Sequence, residues 1–552
     1  MSKKIKYSSN QLAKYITDAP GIVKNYILSL EKQVGNLANI GLALSKEKNM
    51  SKLLEMILIE AKRIANSDGG TLYMMTDDNR LRFEIMMTDS LDFHMGGTSG
   101  KDIPFYPVKL YDEKGEPNKS MIAAYVGLTG ETVNIPDAYK AKGFDFSGTK
   151  MFDEKTGYHS QSFLTVPLKN HEDEIIGVLQ LLNAQNQNAK KIIPFTSDIQ
   201  EMVEALASQA AVAITNKNLI KDLEALFESF IKLIASAIDA KSPYTGGHCA
   251  RVPEITMLLA KAVQDTIDGP FADISFTDKE MYELKIAAWL HDCGKVATPE
   301  FVVDKSTKLE TIYDRVNEVE TRFAALKRDE QIKLLKSELK VERDDSLSKQ
   351  EKLIKIKALK SKYSKKLREL KSDLEFIKES NIGGEFMSGD KKDRVHNISN
   401  YRWKPNGKME NFLSEDEVYN LTIPRGTLTA EERKVINDHI VVTINMLEEL
   451  PYPKHLKNVP EFAGGHHEKL DGTGYPKGLT KDEMSVQARI MAIADIFEAL
   501  TAKDRPYKKG KTLSQAMRIL GFMKNDAHID VDLFDIFVKD KIYLKYAEEY
   551  LD

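Results

Sequence analysis

Cysteine is nearly absent, with two residues in 552, which excludes a disulfide framework and a cysteine-rich zinc module. Long apolar runs are missing as well. Nowhere do eighteen apolar residues follow one another, and the opening stretch MSKKIKYSSNQLAKYITDAP has basic residues with no continuous apolar segment behind them. No membrane span is therefore expected, and the expected compartment is the cytoplasm. An excess of one charge is lacking too: 79 Lys and Arg against 83 Asp and Glu leave a net −4, so bulk charge argues for neither a nucleic-acid groove nor a membrane surface. Glycine and proline are both absent from Thr311 to Ser380. What is present is an ordinary balance of 42% apolar and 29% charged residues, enough for a core in each of two to four folding units.

The first segment, residues 1–45, reads as helix, because Ile22, Tyr26, Leu30, Val34 and Leu37 recur at steps of three and four. Leu53, Met56, Ile57, Glu60 and Ile64 predict a second amphipathic helix, ended by Asp68-Gly69-Gly70. Thr71–Thr76 and Leu81–Met87 flank the turn residues Asp77-Asp78-Asn79, and Phe163–Leu168 and Ile175–Leu182 flank a second polar turn, so two hairpins are expected. Helices around antiparallel strands imply an α+β domain.

The hairpin PLKNHEDEIIGVLQLLNA, with VNIPDAY at 133–139 and the stretch from Phe144 to Gly157, resembles a GAF domain, the small-molecule sensor fold of cyclic-nucleotide phosphodiesterases and many bacterial regulators. Assigned to residues 46–215, the resemblance implies a small ligand or a dimerising role and leaves the ligand unknown. Members that bind cyclic nucleotides carry an Asn-Lys, Phe, Asp-Glu signature; here Asn183, Phe195 and Asp198 match, while Ala184 and Ile199 replace the Lys and the Glu.

Residues 216–240 follow as a linker helix. Leu219, Leu223, Leu226, Phe230 and Leu233 alternate steps of four and three, a short seam that fits either a homodimer stalk or a core helix. Further on, Lys327 to Glu379 holds 17 basic residues against 11 acidic ones, a local excess of six, over an apolar stripe through Ile356, Leu359, Tyr363, Leu367, Leu370, Leu374 and Ile377. An antiparallel helical hairpin with solvated outer faces is expected within an insertion at 311–425, with Ser346 capping its second arm. A basic run of this kind is ordinarily a solvated face, so nucleic acid is not expected as a partner.

The remaining chemistry sits in five short motifs: His248 in YTGGHCAR, His291-Asp292 in HDCGK, His439 on a helix opened by the capping pair Thr429 and Glu432, His466-His467 in GGHHEKLDGTGYP, and Asp495 in an apolar helix. Imidazole and carboxylate are metal ligands, and one Asp can bridge two cations through its two oxygens. Lys295, four residues after His291, would share its face if the helix continued through Gly294. Cys249 and Cys293 follow ligand positions by one residue, so they point away and read as buried apolar residues.

The ordered set His, His-Asp, His, His-His-Glu with Asp-Gly-x-Gly-Tyr-Pro, then Asp, closely resembles the HD-GYP branch of the HD metal-dependent phosphohydrolases. The resemblance implies an all-α domain built from 241–310 and 426–552, an iron or manganese centre, and hydrolysis of a bacterial cyclic dinucleotide, cyclic di-GMP first, to linear pGpG or GMP. It implies one metal on His248, His291, Asp292 and Asp495 and another on Asp292, His439, His466 and His467. Lys295, Tyr475, Arg505 and Lys508 match substrate-contacting positions, with Asp292 and Lys295 at the chemistry. Relatives with a third metal carry a Glu where this chain has Tyr244, so a binuclear site is expected. Two other readings stand beside this one: hydrolysis of cyclic GMP-AMP or another phosphoester, and a catalytically weak cyclic-dinucleotide receptor or dimeric scaffold.

Overall fold

The computed structural model describes residues 21–186, 191–241, 247–503 and 510–551. Tyr244, Arg505 and Lys508 lie outside the described residues. The chain divides into two compact units, Met1–Ala225 and Leu226–Asp552.

In the first unit, helices α1 (Gly21–Lys46) and α2 (Met50–Ala65) precede an antiparallel sheet. Its strands β1 (Ser67–Met75), β2 (Arg80–Thr88), β3 (Phe93–Gly96), β4 (Val108–Lys109), β5 (Val133–Ile135), β6 (Phe163–Lys169), β7 (Ile175–Gln185) and β8 (Ile192–Ile193) run in the order β3-β2-β1-β7-β6-β5, with β4 on β2 and β8 on β7. Both expected hairpins are present, as β1–β2 and β6–β7. The end of α2 differs from expectation. Asn66 takes the left-handed conformation at φ 47° and closes the helix, and Asp68-Gly69-Gly70 are already strand, since one residue that tolerates αL is enough to stop it.

Side chains alternate across the sheet. On β6 and β7, Leu164, Val166, Leu179 and Leu181 enter one core with Ile57 and Leu58 of α2, while Phe163 and Val178 enter the opposite one. On β2 the phase reverses: Leu81 and Phe83 face the second core, Ile85 and Met87 the first. The cause is a bulge, Leu72 pairing with Ile85 and Tyr73 with Phe83, which leaves Glu84 as the extra residue. Helix α3 (Ile122–Thr129) lies in the second core, and α4 (Ser147–Thr156) follows Phe146, another of its residues.

Helix α5 (Ser197–Lys241) runs from one unit into the other. The expected seam is exposed along it, with Leu223 67% and Leu233 63% accessible, while Ile231, Ala235 and Ile238 on another face enter the second unit's core. In that unit, helices α6 (His248–Gln264), α7 (Asp278–Leu290) and, after the insertion, α14 (His439–Glu448), α15 (Val459–Gly464), α16 (Val486–Thr501), α17 (Leu513–Asn525), α18 (Val531–Lys539) and α19 (Ile542–Tyr550) surround a core that includes Val252, Leu259, Ile286, Ile490, Phe497 and Phe537.

The insertion follows a short helix α8 (Glu300–Val303) and has a core of its own: Leu309, Val319, Phe323, Leu374, Ile377, Phe412 and Leu421 pack together. It is built from α9 (Val316–Glu342), α10 (Lys349–Asn381), α11 (Gly389–Ser399) and α12 (Glu415–Leu421), with α13 (Ala430–Asn437) leading out. Ion pairs Glu320–Lys378 at 2.9 Å and Glu338–Lys360 at 3.7 Å show that α9 and α10 run antiparallel. The second arm is capped by Ser348, not Ser346. Ser348 accepts from Glu351 N and its backbone N–H donates to the Glu351 carboxylate, whereas Ser346 is engaged with Asp344.

Candidate metal centre

Two loops and three helices converge on one buried cluster. Helix α7 stops at Leu290, so the expected continuation through Gly294 does not occur; Asp292 at φ −107° and ψ 11° turns the chain into a 3₁₀ segment, Cys293–Ala297. Gly294 is required there. A Cβ on it would lie 2.0 Å from His439 O and 2.5 Å from Thr443 N, and its own N–H donates to Thr443 Oγ1 at 2.9 Å. That close approach sets the start of α14 against the His291-Asp292 turn. His439 is the first residue of α14 and not part of the capped helix α13, because Asp438 ends one helix and opens the next.

His248, His291, His439, His466, Asp292 and Asp495 are all buried, and His467 is partly so. One ligand atom from each of His248, His291 and Asp495 lies within 4.8 Å of the other two, and the same holds among Asp292, His439, His466 and His467. Asp292 faces both sets: Oδ2 is 3.2 Å from His248 Nε2 and 3.3 Å from His291 Nε2, and Oδ1 is 3.2 Å from His439 Nε2. His248 and His291 approach each other at 3.3 Å through Nε2, as do His439 and His467. Donors about 2.1 Å from a shared cation stand roughly 3 to 3.5 Å apart, so these spacings fit metal ligation.

The far nitrogens are fixed. Nδ1 of His291 donates to Ala288 O at 2.8 Å, His466 Nδ1 to Ala463 O at 2.6 Å and His439 Nδ1 to Ile436 O, while His248 Nδ1 pairs with Glu498. Each bond turns Nε2 inward as the free lone pair, the arrangement metal-binding imidazoles use. His466 Nε2 and Asp292 Oδ1 are buried with no hydrogen-bond partner among the described residues, and orphaned acceptors of this kind are costly unless a cation meets them.

The electrostatics agree. Burial would discharge His248 and His291, yet Asp292 and Asp495 outweigh it, with Glu498 also acting on His248; His248 is held well above its ordinary value and His291 is raised to about 9. Burial also opposes charge on Asp292, but Lys295 and His291 hold its carboxyl well below the usual range. Burial and the neighbouring imidazoles keep His466 neutral, and burial lowers His467 to about 4. A field that favours protons at His248 and His291 favours a metal cation in the same place.

Around the cluster, Lys295 Nζ reaches Asp292 Oδ2 at 2.5 Å, three residues back across the 3₁₀ turn. Tyr475 stacks on His467 with ring centroids 4.9 Å apart and planes 23° from parallel. Beside them lies a cavity of about 470 Å³ lined by His467, Tyr475, Asp495, Lys469, Lys511 and His528, among others. Cys249 and Cys293 are buried free thiols, as expected.

Sequence reasoning missed several contributors. Glu498, fully buried, accepts from Arg251 Nε at 2.7 Å and holds His248; its signal was the spacing of three from Asp495 on one helix face. Glu468 accepts from Lys477 N at 2.7 Å and Leu479 N at 3.0 Å and so shapes the Gly-Tyr-Pro loop. His528 lines the cavity along with Lys511. Nothing local marks either, since the fold alone brings them to His467.

Comparison with known families matches a GAF domain model over residues 49–214 and an HD domain model over 415–533. The chain carries a GAF domain and an HD domain. The HD match contains His439, His466, His467 and Asp495, while His248, His291 and Asp292 lie before the insertion. Among curated relatives, a 3′3′-cGAMP-specific phosphodiesterase of Vibrio cholerae is 39% identical over 107 residues, 19% of this chain and 22% of that one. A cyclic di-GMP phosphodiesterase of Pseudomonas aeruginosa is 45% identical over 74 residues, 13% and 17% of the two chains. Another from Thermotoga maritima is 39% identical over 93 residues, 17% and 25%. The chain thus spans at most a quarter of the length of these three relatives. Among solved structures, the GAF domain of an Acinetobacter phosphoenolpyruvate-protein phosphotransferase is 16% identical with a TM-score of 0.26, covering 35% of this chain and 98% of that one. No described helix is long and apolar enough to cross a membrane.

Proposed function

We propose that residues 241–310 and 426–552 form a metal-dependent phosphodiesterase acting on a cyclic dinucleotide, interrupted by the insertion at 311–425 and accompanied by a GAF sensor. The carrying observation is the convergence of seven imidazole and carboxylate ligands in two sets that both face Asp292. In this reading His248, His291, Asp292 and Asp495 hold one ion, and Asp292, His439, His466 and His467 the other. Bound iron or manganese would supply Lewis acidity at the phosphoryl group and lower the pKa of water.

The chain's own groups do the rest. Asp292 stays ionised and keeps the two ligand sets in register. Burial opposes charge on Lys295, but Asp292 and Asp495 outweigh it and raise its pKa, so its ammonium remains charged to offset the non-bridging phosphoryl oxygens. Tyr475, held flat on His467, offers a stacking face for a base, and Lys469 and Lys511 supply positive charge in the adjoining cavity. Arg505 and Lys508 are proposed as further phosphate contacts.

Cyclic di-GMP is the first substrate proposed. Cyclic GMP-AMP is the second, favoured by the cGAMP-specific Vibrio relative. The exposed seam Leu219–Leu233 is proposed to pair with a second copy, and the proposed compartment is the cytoplasm. Metal analysis of the protein, followed by turnover of both dinucleotides side by side, tests the assignment. Replacing His291 and Asp292 together by Ala is expected to remove metal and hydrolysis; turnover retained without metal would overturn the reading, and metal-replete protein that cleaves neither dinucleotide would favour the receptor.

A further inference from the structure

The GAF domain encloses a cavity of about 480 Å³ within the face of the sheet that carries Tyr73 and Phe163. This volume is in the range of small-molecule sites. Eight of the side chains around it are aromatic. Tyr73, Phe83 and Phe105 form a continuous run with centroid separations of 4.7 and 5.7 Å, leading to Phe105, which is 44% exposed. Phe146 and Phe163 form a second pair at 5.6 Å. Neutral polar groups among them include Thr71, Thr88 and Gln180, with the Gln180 amide held by Thr165 at 3.1 Å and by the Tyr73 hydroxyl at 3.3 Å.

Charge decides the ligand class. Among the described residues lining the cavity there is no Lys, Arg or His, and the single charged group is Asp145. The first turn of α4, Ser147 to Thr149, also faces the cavity, and a helix N-terminus would ordinarily favour an anion. Here that end is already served by the chain. Asp145 Oδ1 accepts from Ser147 N at 2.8 Å, and this bond together with the Ser147 hydroxyl lowers the Asp145 pKa, so the carboxylate is ionised near neutral pH. A ligand phosphate would meet this carboxylate with no Lys, Arg or His among the described lining residues to offset it, Lys150 acting on Asp145 from outside the lining. The residues matching the cyclic-nucleotide signature do not line the cavity: Asn183 accepts from Gln161 N at 2.7 Å and Ser162 N at 3.2 Å, and Phe195 belongs to the other core.

We propose that this cavity binds an uncharged heteroaromatic ring compound, stacked between its aromatic walls with its ring polar edges on Thr71, Thr88 and Gln180, and that it rejects cyclic nucleotides. The test is calorimetric titration of the full chain with adenosine, inosine and lumichrome, and with the 3′,5′-cyclic phosphates of the two nucleosides. Phe105→Ala, at the exposed mouth, and Thr149→Tyr, which narrows it, separate binding here from binding at the metal cluster. At least one uncharged ring is expected to bind about tenfold or more tighter than its phosphate counterpart or, for lumichrome, than either cyclic phosphate. That affinity is expected to fall about tenfold in Phe105→Ala. Asp145→Asn is expected to narrow the gap by admitting the anion. The proposal is overturned if a cyclic phosphate binds this cavity as tightly as its nucleoside, if no uncharged ring binds, or if binding is indifferent to both mouth variants.

Discussion

Glu498 acts on the cluster through His248, and its removal should be felt first as lost metal rather than lost fold. It is buried beneath His248 and its charge is shared with Arg251, so burial, which would raise its pKa, is outweighed and the carboxyl is held below its ordinary value. Glu498→Gln keeps the shape but weakens the hold on the imidazole; a loss of roughly 10- to 100-fold in metal affinity is expected, read by metal titration. Gly294→Ala is a different kind of lesion. Its Cβ would overlap His439 O, so the turn and α14 must part, at a cost of about 1–3 kcal/mol or more in thermal unfolding and with loss of metal at the Asp292 and His439 positions. The HDCGK motif was readable from the chain, but the reason for its glycine was not, because the colliding backbone lies 145 residues away in sequence at His439.

Among the elements, the insertion is tied down at its base by buried charge. Lys305, 7% exposed, donates to both oxygens of Glu432 at 2.8 Å and to Asn420 Oδ1 at 2.9 Å, while Glu432 also caps α13 through Thr429. Glu432→Ala would leave the buried Lys305 ammonium with Asn420 as its side-chain partner and remove the carboxylate half of the capping box, and about 3 kcal/mol of destabilisation is expected in denaturant unfolding. Lys308 is fully buried, and burial, with Lys391 and Lys392 nearby, lowers its pKa to about 8. Between about pH 8 and its ordinary 10.5 the unfolded chain therefore binds more protons than the folded one, so this group's contribution makes stability rise with pH across that window. Comparing unfolding of the wild type with Lys308→Met at several pH values should show that slope in the wild type alone. The hairpin itself was legible as apolar helical stripes in a stretch without glycine or proline. Its cap was legible as well, since Ser348 and Glu351 have the Ser-x-x-Glu spacing of a capping box while Lys349 stands three residues after Ser346.

For the whole molecule, separate cores predict separate responses. Chelation should lower the unfolding temperature of the HD unit and leave that of the GAF domain unchanged, because a ligand stabilises only the unit that binds it, by about 2.7 kcal/mol per ion at a hundredfold excess over Kd. Scanning calorimetry would resolve the two transitions. The seam on α5 is expected to hold a dimer, so Leu223→Glu with Phe230→Glu should halve the mass found by sedimentation. Loss of neither mass nor activity in that variant would return the seam to an ordinary exposed face.

Composition, periodicity and motif order, together with the two family resemblances they carry, determined the two classes of domain, both sheet hairpins, the helical insertion and the candidate ligand side chains, because these depend on local pattern and on residue chemistry. Tertiary structure alone decided that Asp292 faces both ligand sets, that α7 ends before Asp292, that His528 and Lys511 share a cavity with His467, and that the GAF cavity holds a single acid among aromatic walls. Those facts depend on backbone segments far apart in sequence coming within a few ångströms, and no periodicity within a segment encodes the distance to another.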